Sequence, residues 1–407
     1  MSDFEPSLQA AQARVAAVNP TAYARTRNAL DGAVTRLSPY LTHGLLSLRG
    51  VYQAVQARHP LYPEHKFVFE LGWRAYYRHV WLHLGDGIHQ SLHQGVLPDA
   101  AYRQDIPADV LQANTGIAVI DMAVRELYAT GYLHNHARMW LASYLVHLRK
   151  VHWHAGAQWL LGHLLDGDLA SNHLSWQWIA GTGSHKPYLF NADNVAKYAP
   201  AHWHSPGSVI DTGYAELERL ARHPAAVDGS PPGQDGIEPP ALMTDPPGSR
   251  WSAANADIVR GRDVWLHHPW SLGASRLPDS SHAVRIAVGI AECHADMPWS
   301  ERRWRFVGEG LKAQTAHRWW GPLQQIAEAL REARSVSWQS DPHIDPLLRQ
   351  LQHLLGNPQV RPAAPEPALF APVQRYCKSF SQWWRLTSLQ PCETPQPPAP
   401  VGRSEGP

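Results

Sequence analysis

The sequence predicts a mainly helical N-terminal region over residues 1–205, then a Pro/Gly-rich linker at 206–254 and a smaller C-terminal α/β, Rossmann-like unit at 255–390. A disordered tail is expected at 391–407. Three observations predict this. In the first half, apolar residues recur at three- and four-residue intervals, as in Met139, Ala142, Leu145 and Val146, the spacing of one helix face. The stretch from Arg222 to Arg250 contains GSPPGQDGIEPP, which suits an extended connection. Beyond it, short apolar runs alternate with amphipathic ones, the pattern of parallel strands joined by helices.

Taken in order, Asn135 to Lys150 reads as a helix that sets Asn135, Arg138 and Met139 side by side on one face. A second helix, Ala155 to Leu165, ends at Asp166-Gly167-Asp168, where the glycine lets the backbone turn and the two carboxylates converge. In the C-terminal half, Asp263 to Pro269 and Val284 to Ile290 read as buried strands and Ser335 to Trp338 as a third. Glu301 to Thr315, Leu323 to Arg334 and Asp345 to Leu355 read as helices. In Trp299-Ser-Glu-Arg-Arg-Trp-Arg-Phe306, Ser300 is placed to cap a helix with an amphipathic aromatic face. Residues 357–373 and 388–407 are proline-rich and expected to be loose.

Composition excludes several function classes. Lys and Arg number 36 against 35 Asp and Glu, a formal charge of +1, so the chain lacks the bulk basicity of a general nucleic-acid binder. A local stripe of Arg74, Arg78, Arg138, Lys186 and Lys197 can still contact phosphates. Cys293, Cys377 and Cys392 form no CxxC pair and suit a reducing compartment. No secretory leader and no run of eighteen apolar residues is present, so a cytoplasmic protein without membrane attachment, and a monomer, is expected. The 25 histidines are scattered without HExxH or paired ligand spacing, and no metal is predicted.

The chemistry concentrates between Thr130 and Asn191. Tryptophans, aspartates, asparagines and Arg138 crowd into apolar helical sequence there. Each buried polar group costs about 1–3 kcal/mol unless something satisfies it. A large, partly polar ligand accounts for the mixture.

Several motifs in this stretch and upstream of it resemble those of the photolyase and cryptochrome family of blue-light flavoproteins. Tyr23-Ala-Arg-Thr-Arg27 and Thr35-Arg36-Leu37-Ser38-Pro39-Tyr40-Leu41 look like the family's upstream tyrosine and phosphate-holding segment. Glu70-Leu-Gly-Trp73-Arg74, running into Tyr76-Tyr77-Arg78, is similar to its substrate helix. Thr115 to Ala123, Gly131 to Met139 and Asp166 to Gly183 continue the match in the family's order, over about residues 15–200.

The resemblance implies an all-helical FAD domain. Tyr23, Arg27, Thr35, Arg36, Leu37 and Ser38 would hold the diphosphate and ribose, since hydroxyls, cations and backbone N–H groups are what an anionic diphosphate needs. Asn135 joins the flavin site. Arg138 and Asp166 would face each other across the ring system, Asp168 would accept from ribose or ring N–H groups, and Asn172 would sit beside flavin N5. The implied partner is UV-damaged DNA. Glu70 would hydrogen-bond a flipped-out cyclobutane pyrimidine dimer, stacked between Trp73 and Trp178, with Asn135 and Met139 standing where (6-4) photolyases carry histidines. Arg74, Arg78 and Lys186 would contact DNA, and His136 replaces an arginine that many members direct at phosphate. The function implied is light-driven dimer splitting by reduced FAD, a lyase reaction. The alternative is a cryptochrome-like photoreceptor without repair.

Trp176 and Trp153 match the inner members of the family's electron-transfer chain. No tryptophan stands at the outer place, where Tyr102 is nearest. The core readings of Trp73 and Trp178 stay open beside the functional ones. Family members place an α/β domain before the FAD domain, so the C-terminal unit reads as that domain relocated. Its Trp299–Phe306 segment is a candidate lining for an antenna chromophore of unknown identity.

Overall fold

The computed structural model describes residues 4–390 except 185, 228, 230–234, 249, 275–281, 357–359, 362 and 364–366. The tail expected at 391–407, with Cys392, and parts of the linker and of the 357–373 segment lie outside the described residues.

The N-terminal half is helical: α1 Leu8–Ala16, α2 Pro20–Thr26, α3 Ser38–Thr42, α4 Leu48–Gln56, α5 Lys66–Leu84, α6 Ala108–Leu111, α7 Ala118–Thr130, α8 Asn135–Ser143, α9 Trp153–His163, α10 Leu169–Ala180 and α11 Ala192–Tyr198. Local chemistry sets many of these ends. Asn19 accepts from Ala22 N and puts Pro20 at the first helical position. Asp168 accepts from Ser171 N at the start of α10, and Gly181, in the left-handed region, ends that helix. The helix expected over 135–150 stops at Ser143, where a π-turn over Tyr144–Leu148 takes over. The cause is Arg149, drawn to Asp109 at 2.6 and 2.9 Å and to the Tyr144 hydroxyl at 3.0 Å.

The region expected as linker is partly regular. Tyr214–Arg222 forms α12, with Leu217 and Ala221 buried, and Leu242–Met243 forms strand β1. The helix was not anticipated because its apolar stripe is only two residues wide within ELER-type charge.

The C-terminal half carries α13 Ala256–Val259, β2 Asp263–His267, β3 Val284–Ile290, α14 Ala291–His294, β4 Trp299–Ser300, α15 Glu301–Lys312, β5 Arg318–Gly321, α16 Leu323–Leu330, β6 Ser335–Trp338, α17 Asp345–Leu355 and α18 Phe380–Trp384. Four strands form one sheet in the order β5-β3-β2-β6, every pairing parallel. The chain therefore starts mid-sheet, winds to one edge and crosses back to the other, the doubly wound arrangement. The α/β unit expected over 255–390 calls for such a parallel sheet, and the sheet is present. Strand β5, Arg-Trp-Trp-Gly, was not read from sequence because its four residues show no run of β-branched side chains.

The two halves share a core. Phe4, Tyr40, Leu45, Tyr132 and Leu165 from the helical half pack in one cluster with Val264, Ile286, Trp299, Phe306 and Trp319. Trp299 is 1% exposed and Arg303 likewise, so the Trp299–Phe306 segment serves as interface and core rather than as a chromophore lining. Ser300 caps α15 as expected, its Oγ accepting from Arg303 N at 3.4 Å. Of the segment expected to be loose, Leu369 and Phe370 are buried, against the helix α5 side of the molecule.

Candidate functional site

A cavity of about 510 Å³ opens between α2, the 34–41 segment, α5, α8, the end of α9 and α10. Its volume lies in the range of cofactor sites, about 300–1,000 Å³. Tyr23, Arg27, Thr35, Arg36, Leu37, Ser38, Glu70, Trp73, Arg74, Asn135, Arg138, Met139, Asp166, Asp168, Asn172, Trp176 and Trp178 all line it. The residues singled out from sequence for cofactor and lesion thus converge on one wall system. Trp153, Tyr102, Arg78 and Lys186 are not among its lining residues.

At the floor, Arg138 Nη2 donates to both oxygens of Asp166 at 2.8 and 2.9 Å, and its Nε donates to Leu133 O at 2.9 Å. The pair was expected to face each other across a ring system; in the structure it is directly bonded, because Asp166 is 6% exposed and needs a cation at hand. Arg36 and Arg138 both lie over the Tyr132 ring, at 5.6 and 5.5 Å from its centroid. Arg36 has φ of 51°, a left-handed backbone held by a non-glycine residue, which marks the segment as over-determined by its surroundings.

Asp168 is the N-cap of α10 and lies 3.9 Å from the Arg74 guanidinium. Burial pushes its carboxyl up, but Arg74 and the Ser171 hydroxyl outweigh that and bring it to about 2. It is ionised at neutral pH. Two residues that sequence reasoning missed set this corner from the C-terminal half. His343 Nε2 accepts from Leu169 N at 3.1 Å while its Nδ1 is 2.7 Å from Asp341. Arg303 donates to Leu161 O at 2.6 Å and to Gly167 O at 2.7 Å, gripping the turn between the two aspartates. A Cβ on Gly167 would come within 2.3 Å of the Arg303 guanidinium, so the glycine serves this close approach. Arg303 falls in the Trp299–Phe306 segment, which reads from sequence only as a capped amphipathic helix, and nothing in the sequence around His343 marks it.

On the open side, Glu70 is paired with Lys66 at 3.1 Å and Arg27 at 3.4 Å. Asn135, exposed at the mouth, donates to Met139 Sδ at 3.4 Å. Trp178 is 41% exposed. Asn172 Nδ2 donates to Ala157 O at 2.9 Å. His136 Nδ1 is buried without a hydrogen-bond partner among the described residues, and desolvation first, then Arg27, lowers its pKa to about 4. The ring is therefore neutral above pH 5, and a phosphate-directed charge at this position does not arise.

Three residues expected to meet DNA or a lesion have partners within the chain. Arg78 is committed to Asp341 Oδ2 at 2.7 Å, a buried carboxylate that needs it, rather than offered to DNA. Arg74 donates to Thr42 Oγ1 at 2.7 Å and leans toward Asp168, so it belongs to the cavity wall. Lys186 is exposed. Trp73, expected to offer its face to a lesion, has Phe380 of α18 stacked on it at 4.1 Å with 11° between planes, since an open indole face beside a phenyl ring gains by covering it.

Trp176 and Trp153 are both 2% exposed. A Cβ on Gly156 would meet the Trp176 ring at 2.3 Å, so that ring lies directly on α9. Tyr102 reaches Trp153 through an unanticipated ring: His152 is 6.2 Å from Tyr102 and 5.8 Å from Trp153. Trp153 Nε1 donates to Ser91 Oγ at 2.9 Å.

Comparison with known proteins gives the arrangement a context. Residues 67–222 match the family model described as the FAD binding domain of DNA photolyase. A deoxyribodipyrimidine photo-lyase of Synechococcus sp. is 35% identical over 179 residues, 41% of this chain and 37% of that protein. A cryptochrome DASH of Gloeobacter violaceus is 34% identical over 170 residues, 40% of this chain and 34% of that protein. A deoxyribodipyrimidine photo-lyase of Streptomyces griseus is 37% identical over 156 residues, 37% of this chain and 33% of that protein. The chain thus spans little more than a third of the length of these relatives. Among the described residues no helix is long and apolar enough to cross a membrane.

Proposed function

We propose that this chain, which belongs to the photolyase and cryptochrome family through its FAD-binding region, holds FAD in the 510 Å³ cavity and splits cyclobutane pyrimidine dimers in UV-damaged DNA. The observation that carries this reading is the convergence of two residue sets on one cavity. The first comprises Arg27, Thr35, Arg36, Ser38, Arg138, Asp166, Asp168 and Asn172; the second comprises Glu70, Trp73, Asn135, Met139 and Trp178. The first set fits the cofactor: hydroxyls and guanidinium groups for a diphosphate, acceptors for ribose and ring N–H groups, and an unpartnered imidazole nitrogen on His136 for a further polar atom.

The chemistry that FAD supplies when bound and reduced is a photoexcited electron, returned after the two cyclobutane bonds have opened. The chain's own groups position and shield. Arg138, bonded to Asp166, places a fixed cation at the cavity floor; Asn172, its Nδ2 occupied by Ala157 O, leaves Oδ1 as its polar atom for the ligand. Glu70 would accept from or donate to a pyrimidine edge, and Trp178 would offer a partly exposed ring for stacking. Tyr102, Trp153 and Trp176 would carry electrons inward, with the His152 ring packed between the first two. Lys186 would contact phosphate. A second reading, a photoreceptor without repair, is favoured by the Phe380 ring covering Trp73.

The test reduces the bound flavin in the dark and illuminates the protein with a dimer-containing oligonucleotide while the absorbance of restored thymine is recorded. Light-dependent repair by the wild type, lowered at least tenfold in Glu70→Ala at unchanged flavin content, supports the reading. Bound flavin without repair selects the photoreceptor. A protein that takes up no FAD overturns both.

A further inference from the structure

Three histidines that lie far apart in sequence meet on the side of α9 and α10: His89 at the end of the 3-10 helix Gly85–His89, His154 in the first turn of α9 and His173 in α10. One ring nitrogen from each lies within 4.8 Å of the others. Their ring centroids form a near-equilateral triangle of 5.1, 5.5 and 5.7 Å, with the planes at 77°, 64° and 74° to one another. Imidazoles bound radially to one tetrahedral ion at the usual Zn–N length of about 2.0–2.1 Å place their centroids about 5 Å apart. The same geometry needs the three ligating nitrogens about 3.3 Å apart, so from separations of up to 4.8 Å the rings would close inward on the ion. Stacked histidines would lie parallel; these splay as ligands around a point.

His173 supplies the second observation. It is 0% exposed, and its Nδ1 faces Leu169 O at 3.1 Å, a carbonyl that can only accept. Nδ1 therefore carries the proton and Nε2 holds a lone pair. That Nε2 is buried with no hydrogen-bond partner. A carbonyl that fixes the tautomer on one nitrogen and leaves the opposite, buried nitrogen with a free lone pair is how metal-binding histidines are commonly held. A buried acceptor left unsatisfied costs about 1–3 kcal/mol, which a bound cation removes. His89 and His154 are half-buried, so an ion and a water as fourth ligand have access.

We propose that His89, His154 and His173 form a binding site for one borderline-soft divalent transition-metal ion of the Zn²⁺ type. Three neutral imidazoles with no carboxylate among them disfavour Mg²⁺ and Ca²⁺, which take oxygen ligands. The ion would tie the 3-10 helix after α5 to α9 and α10, the helices that carry Trp153, Asn172 and Trp176. Trp153 lies 5.4 Å from His154 and 6.1 Å from His173, so the dication would also disfavour a positive charge on that indole. This last consequence rests on the electron route proposed above; the site does not.

The experiment strips the full-length protein with chelator, then titrates Zn²⁺ calorimetrically and, in parallel, Co²⁺ while the visible d–d bands of tetrahedral cobalt are recorded. One ion per chain, with tetrahedral Co²⁺ bands, and affinity at least tenfold weaker in His89→Ala and in His154→Gln, is the expected result. Circular dichroism and flavin content identify variants that retain the fold. No stoichiometric binding by the wild type, or binding unchanged in both variants, overturns the site. Zn²⁺ that binds through these residues yet leaves flavin photoreduction at its metal-free rate overturns the coupling to Trp153 and leaves the site standing.

Discussion

Arg303 shows how one side chain from the C-terminal half can govern a ligand cavity that its own segment does not line. It is buried, and burial lowers its pKa to about 9 against the opposing pull of Asp166, Cys293 and Asp168, so it stays charged at neutral pH. Its two terminal nitrogens satisfy the carbonyl of Leu161, in the last turns of α9, and that of Gly167, between the two aspartates, and the guanidinium also lies 4.1 Å over the Trp299 ring. Arg303→Met keeps the stem but leaves two buried carbonyls without donors, a loss of about 1–3 kcal/mol each. The expected outcome is a lower unfolding midpoint together with at least tenfold weaker FAD retention, read by flavin fluorescence on dilution. FAD bound as tightly as in the wild type would show that the turn holds its shape without this clamp.

Among the elements, α18 and α5 decide what the open side of the cavity can bind. Phe380 covers one face of Trp73, and Trp384 also leans on α5: a Cβ on Gly72 would sit 2.4 Å from the Trp384 ring. An aromatic stack of this kind contributes about 0.5–1.5 kcal/mol beyond area burial, whereas a base stacked on an aromatic ring gains about 1–3 kcal/mol. A flipped-out base can therefore displace the phenyl ring, at a cost. Phe380→Ala should tighten binding of dimer-containing single-stranded DNA by two- to tenfold, measured by fluorescence anisotropy, while lowering stability by about 3–5 kcal/mol. Unchanged affinity would mean that Trp73 is core. The sequence could not foretell this contact, since SFSQWW lies some 300 residues from Trp73 and is too short to show a period. What was legible was local: the helices α8 and α9, the strands at 284–290 and 335–338, and the Ser300 cap all follow from spacing and end chemistry. What was not legible was pairing across the halves. Arg78 with Asp341, His343 behind Leu169, and the three histidines at 89, 154 and 173 are joined by the tertiary fold alone, and no spacing in the chain announces them.

Over the whole molecule, the largest chemical peculiarity is the number of histidines held neutral inside it. His294 is lowered to about 3, and His134, His147, His163 and His267 to about 4, in each case chiefly because burial disfavours the charged ring. All five are buried. His294 lies among Trp299, Trp304 and Trp320, whereas His43, with Pro269 O at 2.6 Å and Leu165 O at 2.8 Å on its two ring nitrogens, faces two acceptors that only a doubly protonated ring can serve and stands outside this set. The unfolded chain protonates these rings near pH 6.5, the folded chain only near pH 4 or below, so between those values the unfolded state binds more protons. Stability is then fully present above about pH 6.5 and falls as pH drops toward 4, each ring contributing at most about 1.4 kcal/mol per pH unit. The carboxylate of Asp168, lowered to about 2, adds its loss only below pH 4, which keeps the two windows apart. Urea unfolding midpoints should be level between pH 8 and pH 7 and then fall steeply from pH 6.5 to pH 5, with several protons taken up on unfolding at pH 5.5. A midpoint at pH 5 equal to that at pH 7 would mean that these rings are reached by water or paired in the folded chain, and that the shared core between the helical half and the parallel sheet is looser than its packing indicates.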